Sequence, residues 1–181
     1  NNVLRQMQQL TVTDMMRLQN DNYNLHAAET LPFLLNQLAL DTTALREEGS
    51  EATALIRAYH EMSRWNYFND KNSEGASYFQ VWWDNFVPRL WDEMYGQPYA
   101  LRRPTTYNTV KLIKENRAEA FYDIKSTEER ESLQDVIRNS FAVSVAEIED
   151  WMEARKLDKV RWADYKDTYV RHLARLEPLG F

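Results

Sequence analysis

The stretch from Ala76 to Tyr95 constrains the fold more than any other part of the chain. Phe79, Trp83, Phe86, Leu90 and Met94 recur every three or four positions, the period of one helix face. Trp82 and Trp91 widen that stripe, so the helix is apolar over most of its girth and needs other elements wrapped around it. Pro88 removes a backbone donor inside it, so a bend is expected there, and Gly96 is placed to end it. A chain built around such a rod is expected to be mainly α. Composition agrees: the 181 residues include only 4 Gly and 5 Pro, too few for a turn-rich sandwich or barrel, while abundant Ala, Leu, Glu, Arg and Gln favour helices. A chain of this length suits one domain and can bury roughly 70% of its unfolded surface.

The remaining elements follow from caps and breakers. Thr11 or Thr13 can cap a first helix. Met15, Met16 and Leu18 open its apolar face, and Tyr23, Ala27, Leu31 and Leu34 or Leu35 continue the pattern to about Leu40. Pro32 interrupts it, either as the first-turn proline of a new helix or as a kink; two helical pieces, near 13–30 and 31–39, are the favoured reading. The polar run Asp41 to Ala52 reads as a loop, and Ser50 then caps a helix through about Ser63 bearing Leu55, Tyr59 and Met62. Asn66 to Gly75, rich in Asn and Asp, reads as a second loop. Gln97 to Pro104 is a connector, after which Thr105 or Thr106 caps a short helix to about Glu115. Ser126 and Glu129 match a capping box, which predicts a helix over 127–153 with Leu133, Ile137, Phe141, Val145, Ile148 and Met152 on one stripe. From Val160 onward two readings stay open: Tyr165, Tyr169 and Leu173 suit a helix, whereas the alternation over Thr168 to Leu173 suits a strand. The expected architecture is a single helical domain over 1–181, an irregular multi-helix bundle with room for a short strand or hairpin near the C-terminus. Residues 1–10 and 174–181 are expected to be tails.

Several function classes lose ground at once. The formal charge of −6, with basic and acidic residues interleaved, argues against nucleic acid as a partner. The absence of Cys removes disulfides, thiol catalysis and Cys-ligated metals. No apolar run reaches the roughly 20 residues that span a membrane. A chain that begins with Asn1 is expected to be a processed or trimmed piece, so a targeting segment can be missing from it.

The residues that carry chemistry elsewhere are scattered here. His26, His60 and His172 form no metal-ligand spacing, and a surface or hydrogen-bonded histidine is the favoured reading of each. Glu128, Glu129 and Glu131 fall where a helix dipole would favour negative charge. Asp41, Glu47, Glu48 and Glu51 flank a loop and read as solvated. Asn69 to Gly75 superficially resembles a calcium loop, but Gly75 sits one place off and the terminal bidentate Glu is lacking. Trp82, Trp83 and Trp91 suit a core better than a ligand platform. Neither a phosphate-binding glycine loop nor a G-x-S-x-G elbow is present.

Four blocks in order resemble one known family. They are Thr13-Asp14 with Leu18-Gln19-Asn20-Asp21, Ala28 and Leu31-Pro32-Phe33-Leu34; Leu55-Ile56 with Ser63-Arg64-Trp65-Asn66; Ser73-Glu74-Gly75-Ala76 leading into Phe79-Gln80-Val81-Trp82-Trp83; and Phe121-Tyr122-Asp123 with Glu131, Asp135 and Ser140-Phe141, ahead of Val160-Arg161-Trp162 and His172. Together they are similar to the helical segment of the large chain of penicillin acylases, the penicillin amidase family of N-terminal nucleophile hydrolases. Two departures stand out. Asn66 replaces the common Asp, and the family's Trp-Gly-x-x-His survives only as Trp162-Ala163-Asp164-Tyr165.

The resemblance implies an amidohydrolase made as a precursor and cut into two chains. A new N-terminal Ser attacks the amide carbonyl with its own α-amine as base, and backbone and Asn groups hold the oxyanion. It implies a catalytic β-sandwich beside the helical region, acylated amines such as penicillins or acyl-homoserine lactones as substrates, and a periplasmic or secreted setting. Calcium, where members bind it, is held outside this stretch. None of those functional residues has a matching position here, so no catalytic, cofactor or metal residue is assigned. The expectation is therefore a non-catalytic helical domain whose partner is the rest of its own acylase polypeptide, exposing enough apolar surface to form homodimers when isolated. The alternatives are a free-standing module that holds a peptide or apolar ligand in an aromatic groove near Trp82 and Trp91, and an acid–base or metal enzyme built on the Glu128 cluster.

Overall fold

The computed structural model describes residues 10–40, 50–95 and 101–167. Among them the chain is mainly helical, with no strand beyond an isolated antiparallel bridge between Tyr23 and Phe68. Seven α-helices are described: α1 (Val12–Gln19), α2 (Leu25–Leu38), α3 (Ser50–Ser63), α4 (Glu74–Leu90), α5 (Thr106–Lys114), α6 (Leu133–Arg155) and α7 (Trp162–Lys166). Single 3₁₀ turns cover Asp92–Met94 and Glu119–Phe121.

The aromatic rod is the hub. α4 packs along α6, with α3 and α7 also against it, while α2 bridges α3, α5 and α6. Tyr78, Phe79, Trp82, Phe86 and Leu90 of α4 are buried together with Ile137, Phe141, Val145 and Ile148 of α6. Two small residues make the α4–α6 approach close. Ser140 Oγ accepts from the Trp82 indole N–H at 3.1 Å and donates to the Ile137 carbonyl at 3.0 Å. One turn on, Ser144 Oγ donates to the Ser140 carbonyl at 2.6 Å and lies 3.4 Å from the Val81 carbonyl. The Trp82 indole N–H and the Ser140 and Ser144 hydroxyls thus all find partners inside this seam, which is the condition for placing a tryptophan in a core. At the other end of the rod the Trp91 N–H donates to Thr109 Oγ1 at 3.1 Å, and the ring meets Phe121 edge-on.

Several expected boundaries move. The break expected at Pro32 lies instead at residues 20–24. There Asn24 caps α2 by accepting from the Ala27 N–H at 2.9 Å, and Pro32 stays inside the helix on its exposed side, where the carbonyl it leaves unpaired can turn to water. α4 starts earlier than expected, because Ser73 accepts from the Ala76 N–H at 3.2 Å; it ends at Leu90, and Met94 falls in the 3₁₀ turn. The helix expected from 127 begins at Leu133. Ser132 and Asp135 form the capping box, whereas the Thr127 hydroxyl turns to Glu131 in a loop. Ser50 is already helical, so the preceding loop ends sooner than Ala52. Gly96, the alternation over Thr168 to Leu173, residues 1–9 and the tail 174–181 lie outside the described residues.

The Asn-rich loop between α3 and α4 is a junction. Asn24 N–H donates to the Tyr67 carbonyl at 2.7 Å and Asn69 N–H to the Asn22 carbonyl at 3.1 Å. Asn22 also reaches Asp70 Oδ1 at 2.9 Å. From the far end of the chain, the amides of Trp162 and Ala163 donate to the carbonyls of Ser73 and Lys71, both at 3.0 Å. Inside the loop Asn66 Oδ1 accepts from the Phe68 N–H at 3.1 Å, which supports the left-handed Tyr67 (φ 66°) between them. The Trp65 indole N–H donates to the Phe68 carbonyl at 2.9 Å.

Candidate functional site

The three tryptophans weighed as a ligand platform belong to the core. Trp82 and Trp91 are 0% and 1% exposed, and Trp83 is buried against Phe86, Phe79 and His26. This removes the aromatic groove expected near Trp82 and Trp91. The two indole N–H groups that would have contacted a ligand are already spent on Ser140 and Thr109.

The acidic cluster also changes meaning. Glu128 and Glu129 are exposed in the loop before α6, so no helix dipole accounts for them; the first-turn carboxylate of α6 is Asp135. Glu131 is tied down, accepting from the Thr127 hydroxyl and the Ile124 amide, and these bonds hold its carboxyl below the usual range. In the Asn69–Gly75 segment the Asp70 carboxylate and the Lys71 and Ser73 carbonyls serve the junction, and the Ser73 hydroxyl caps α4. No group of three or more His, Cys, Asp or Glu that could hold a metal ion occurs among the described residues. Asp41, Glu47, Glu48 and His172 lie outside those residues, and Glu51 falls in α3. His60 sits edge-on to Tyr59 at 5.9 Å.

Of the two described histidines, His26 is the one set into the core margin. Its ring meets Trp83 edge-on at 4.3 Å and Phe79 at 5.3 Å, and its Nε2 is buried without a hydrogen-bond partner. Burial pushes its pKa below 6.5, with the Glu29 charge opposing that shift. Because the folded imidazole refuses a proton that the unfolded chain accepts, stability must fall as pH drops through the unfolded value of about 6.5. Melting temperatures measured from pH 8 to pH 5 should therefore fall more steeply for the native chain than for His26→Gln. Parallel curves would discount the buried imidazole as the cause.

A second cluster ties α3 and α4 to α6. Arg57 forms an ion pair with Glu149, and beside it burial pushes the Tyr78 phenol up to about 12. With side chains at 38% exposure, the pair contributes little to stability once water screens it.

His26 also lines an open groove of about 570 Å³ between α2 and α5. Leu25, His26 and Glu29 form one wall, and Tyr107, Val110 and Lys111 the other. The Thr105 cap, whose Oγ1 accepts from the Asn108 N–H at 3.4 Å, sets where α5 begins. Lys114 closes one end, donating to the Glu29 carbonyl at 2.6 Å. Sequence reasoning missed this groove: Leu25 and Tyr107 are ordinary residues in separate segments, and no local pattern says that α2 and α5 lie side by side.

The sequence model of the penicillin amidase family matches residues 1–180. The chain belongs to that family, a class of amide hydrolases, and is similar to it along essentially its whole length. Comparison with curated proteins and with solved structures gave no match.

Proposed function

We propose that this chain is a single, non-catalytic helical domain of a penicillin amidase-like hydrolase, and that it braces the part of the polypeptide that cleaves N-acyl amides. Family membership carries the reading. It is supported by how the reactive residue types are used: the Ser140 and Ser144 hydroxyls are bound to core carbonyls, His26 is wedged against Trp83, and Trp82 fills the α4–α6 seam. No residue of this chain is assigned to catalysis, to a cofactor or to a metal. The attacking Ser is placed elsewhere in the parent polypeptide, in a periplasmic or secreted setting.

The surface of α1 supports a partner within the same polypeptide. Val12 is 79% exposed and Met15 and Met16 stand out beside it, although α1 has a well-formed capping box at Thr11 and Asp14. An amphipathic helix with its apolar side in water is expected to be covered in the whole protein. No helix among the described residues is long and apolar enough to cross a membrane.

The purified chain should give no release of chromophore from a phenylacetyl anilide above the buffer rate. Turnover that follows the chain through purification would refute the non-catalytic assignment.

A further inference from the structure

From the α2–α5 groove we infer a binding site for an amphiphilic carboxylate, a small molecule with an apolar body and one anionic end. The inference stands on the groove alone and does not depend on the parent's activity. Its volume of about 570 Å³ falls within the range of sites that hold small organic ligands. Its walls are apolar where Leu25, Tyr107 and Val110 face each other, and two of these remain open to water: Leu25 is 53% exposed and Tyr107 69%. Exposed apolar side chains that converge on one recess, rather than scattering, need an explanation.

The charges give the ligand its polarity. Lys111 and Lys114 both line the groove toward the end of α5. In the last turn of a helix such cations are favourable without any ligand, but that does not account for the apolar walls beside them. The Lys114 ammonium is held over the groove by one bond to the Glu29 carbonyl, and an ammonium has three protons to donate. A carboxylate placed there takes a charge-assisted bond, while its alkyl or aryl body lies along Leu25, Tyr107 and Val110. The Glu29 carboxylate lies in the same groove and opposes an anion, so it limits affinity.

Titration calorimetry on the chain with octanoate tests this, with octylamine and 1-octanol as controls of the same length. Octanoate should bind one site per chain in saturable fashion, with octylamine and 1-octanol much weaker. The double variant Lys111→Glu/Lys114→Glu, at two exposed positions, should raise Kd about tenfold or more. Leu25→Asp should have a comparable effect through the apolar wall, at a first-turn position where an acidic residue suits the helix. Glu29→Gln should tighten binding about twofold to threefold. Circular dichroism of each variant checks that the fold is retained. The inference fails if octanoate gives no saturable heat up to about 10 mM, a very weak limit on the affinity scale. It also fails if folded variants bind as the native chain does, which would mean adsorption elsewhere. Equal binding of 1-octanol would mark the recess as an apolar docking face for a protein segment, and would equally overturn the carboxylate site.

Discussion

Replacing Gly75 with alanine should destabilise the fold by about 1–3 kcal/mol, although in a helix interior the same exchange normally stabilises by about 1 kcal/mol. The sign reverses because of what surrounds the position. A Cβ at Gly75 would lie 2.7 Å from Trp65 Cβ, 2.8 Å from Trp65 Cγ and 2.9 Å from the Glu61 carbonyl oxygen. The last of these is backbone of α3 and cannot swing aside. Trp65 is itself fastened by its indole bond to Phe68 and packs on Tyr67 and Phe79, so retreat there would disturb the loop that joins α3 to α4. The glycine in the first turn of the aromatic helix is thus a requirement for close approach of α3 to the start of α4. Urea unfolding followed by far-ultraviolet dichroism measures the effect, and a midpoint equal to or above the native one would contradict this account.

Trp82→Ala should cost more, about 3–5 kcal/mol, a large part of the roughly 5–15 kcal/mol that holds a domain of ordinary stability together. The indole fills the centre of the α4–α6 seam, 5.0 Å from the Phe141 ring, and no neighbouring side chain can collapse into the space without giving up its own contacts. The hydrogen bond to Ser140 can be separated from the volume. Trp82→Phe retains most of the apolar bulk and removes the donor, so it should lose less than Trp82→Ala. A double-mutant cycle of Trp82→Phe with Ser140→Ala should give a coupling of about 1 kcal/mol. Additive losses would mean that the bond contributes nothing beyond packing, and loss of less than about 1 kcal/mol in Trp82→Ala would remove the indole from the centre of the core.

How much of this was legible beforehand depended on whether the signal was local. The stripes of α3, α4 and α6 and the Thr105 start of α5 were readable because periodicity and capping are properties of neighbours in sequence. Pro32 misled because a proline in a helix is tolerated on a side that faces water, and the sequence does not say which side that is. Ser126 misled because two Ser-x-x-acid patterns stand six residues apart. Only tertiary packing chooses Ser132, whose helix presents Val136 and Ile137 to the core at once, while Thr127 and Glu131 bind each other. Gly75 stands in one of the four blocks that carry the family resemblance, yet the reason for a glycine there, Trp65 pressed against the α4 backbone, is a contact between separate elements. The α2–α5 groove left no mark in any single segment.

The Asn-rich junction has a consequence for the order in which the molecule comes apart. Asn22, Trp65 and Trp162 all report to the same loop, although most of the described chain lies between the first and the last. Fraying of α7 unties the Lys71 and Ser73 carbonyls on one side of this loop, and loosening near Asn22 unties its Tyr67–Asp70 side. Local opening of this kind usually strips terminal elements one at a time. Here both flanks share one anchor, the Asn-rich loop, so hydrogen exchange is expected to find the Asn24, Trp162 and Ala163 amides opening together.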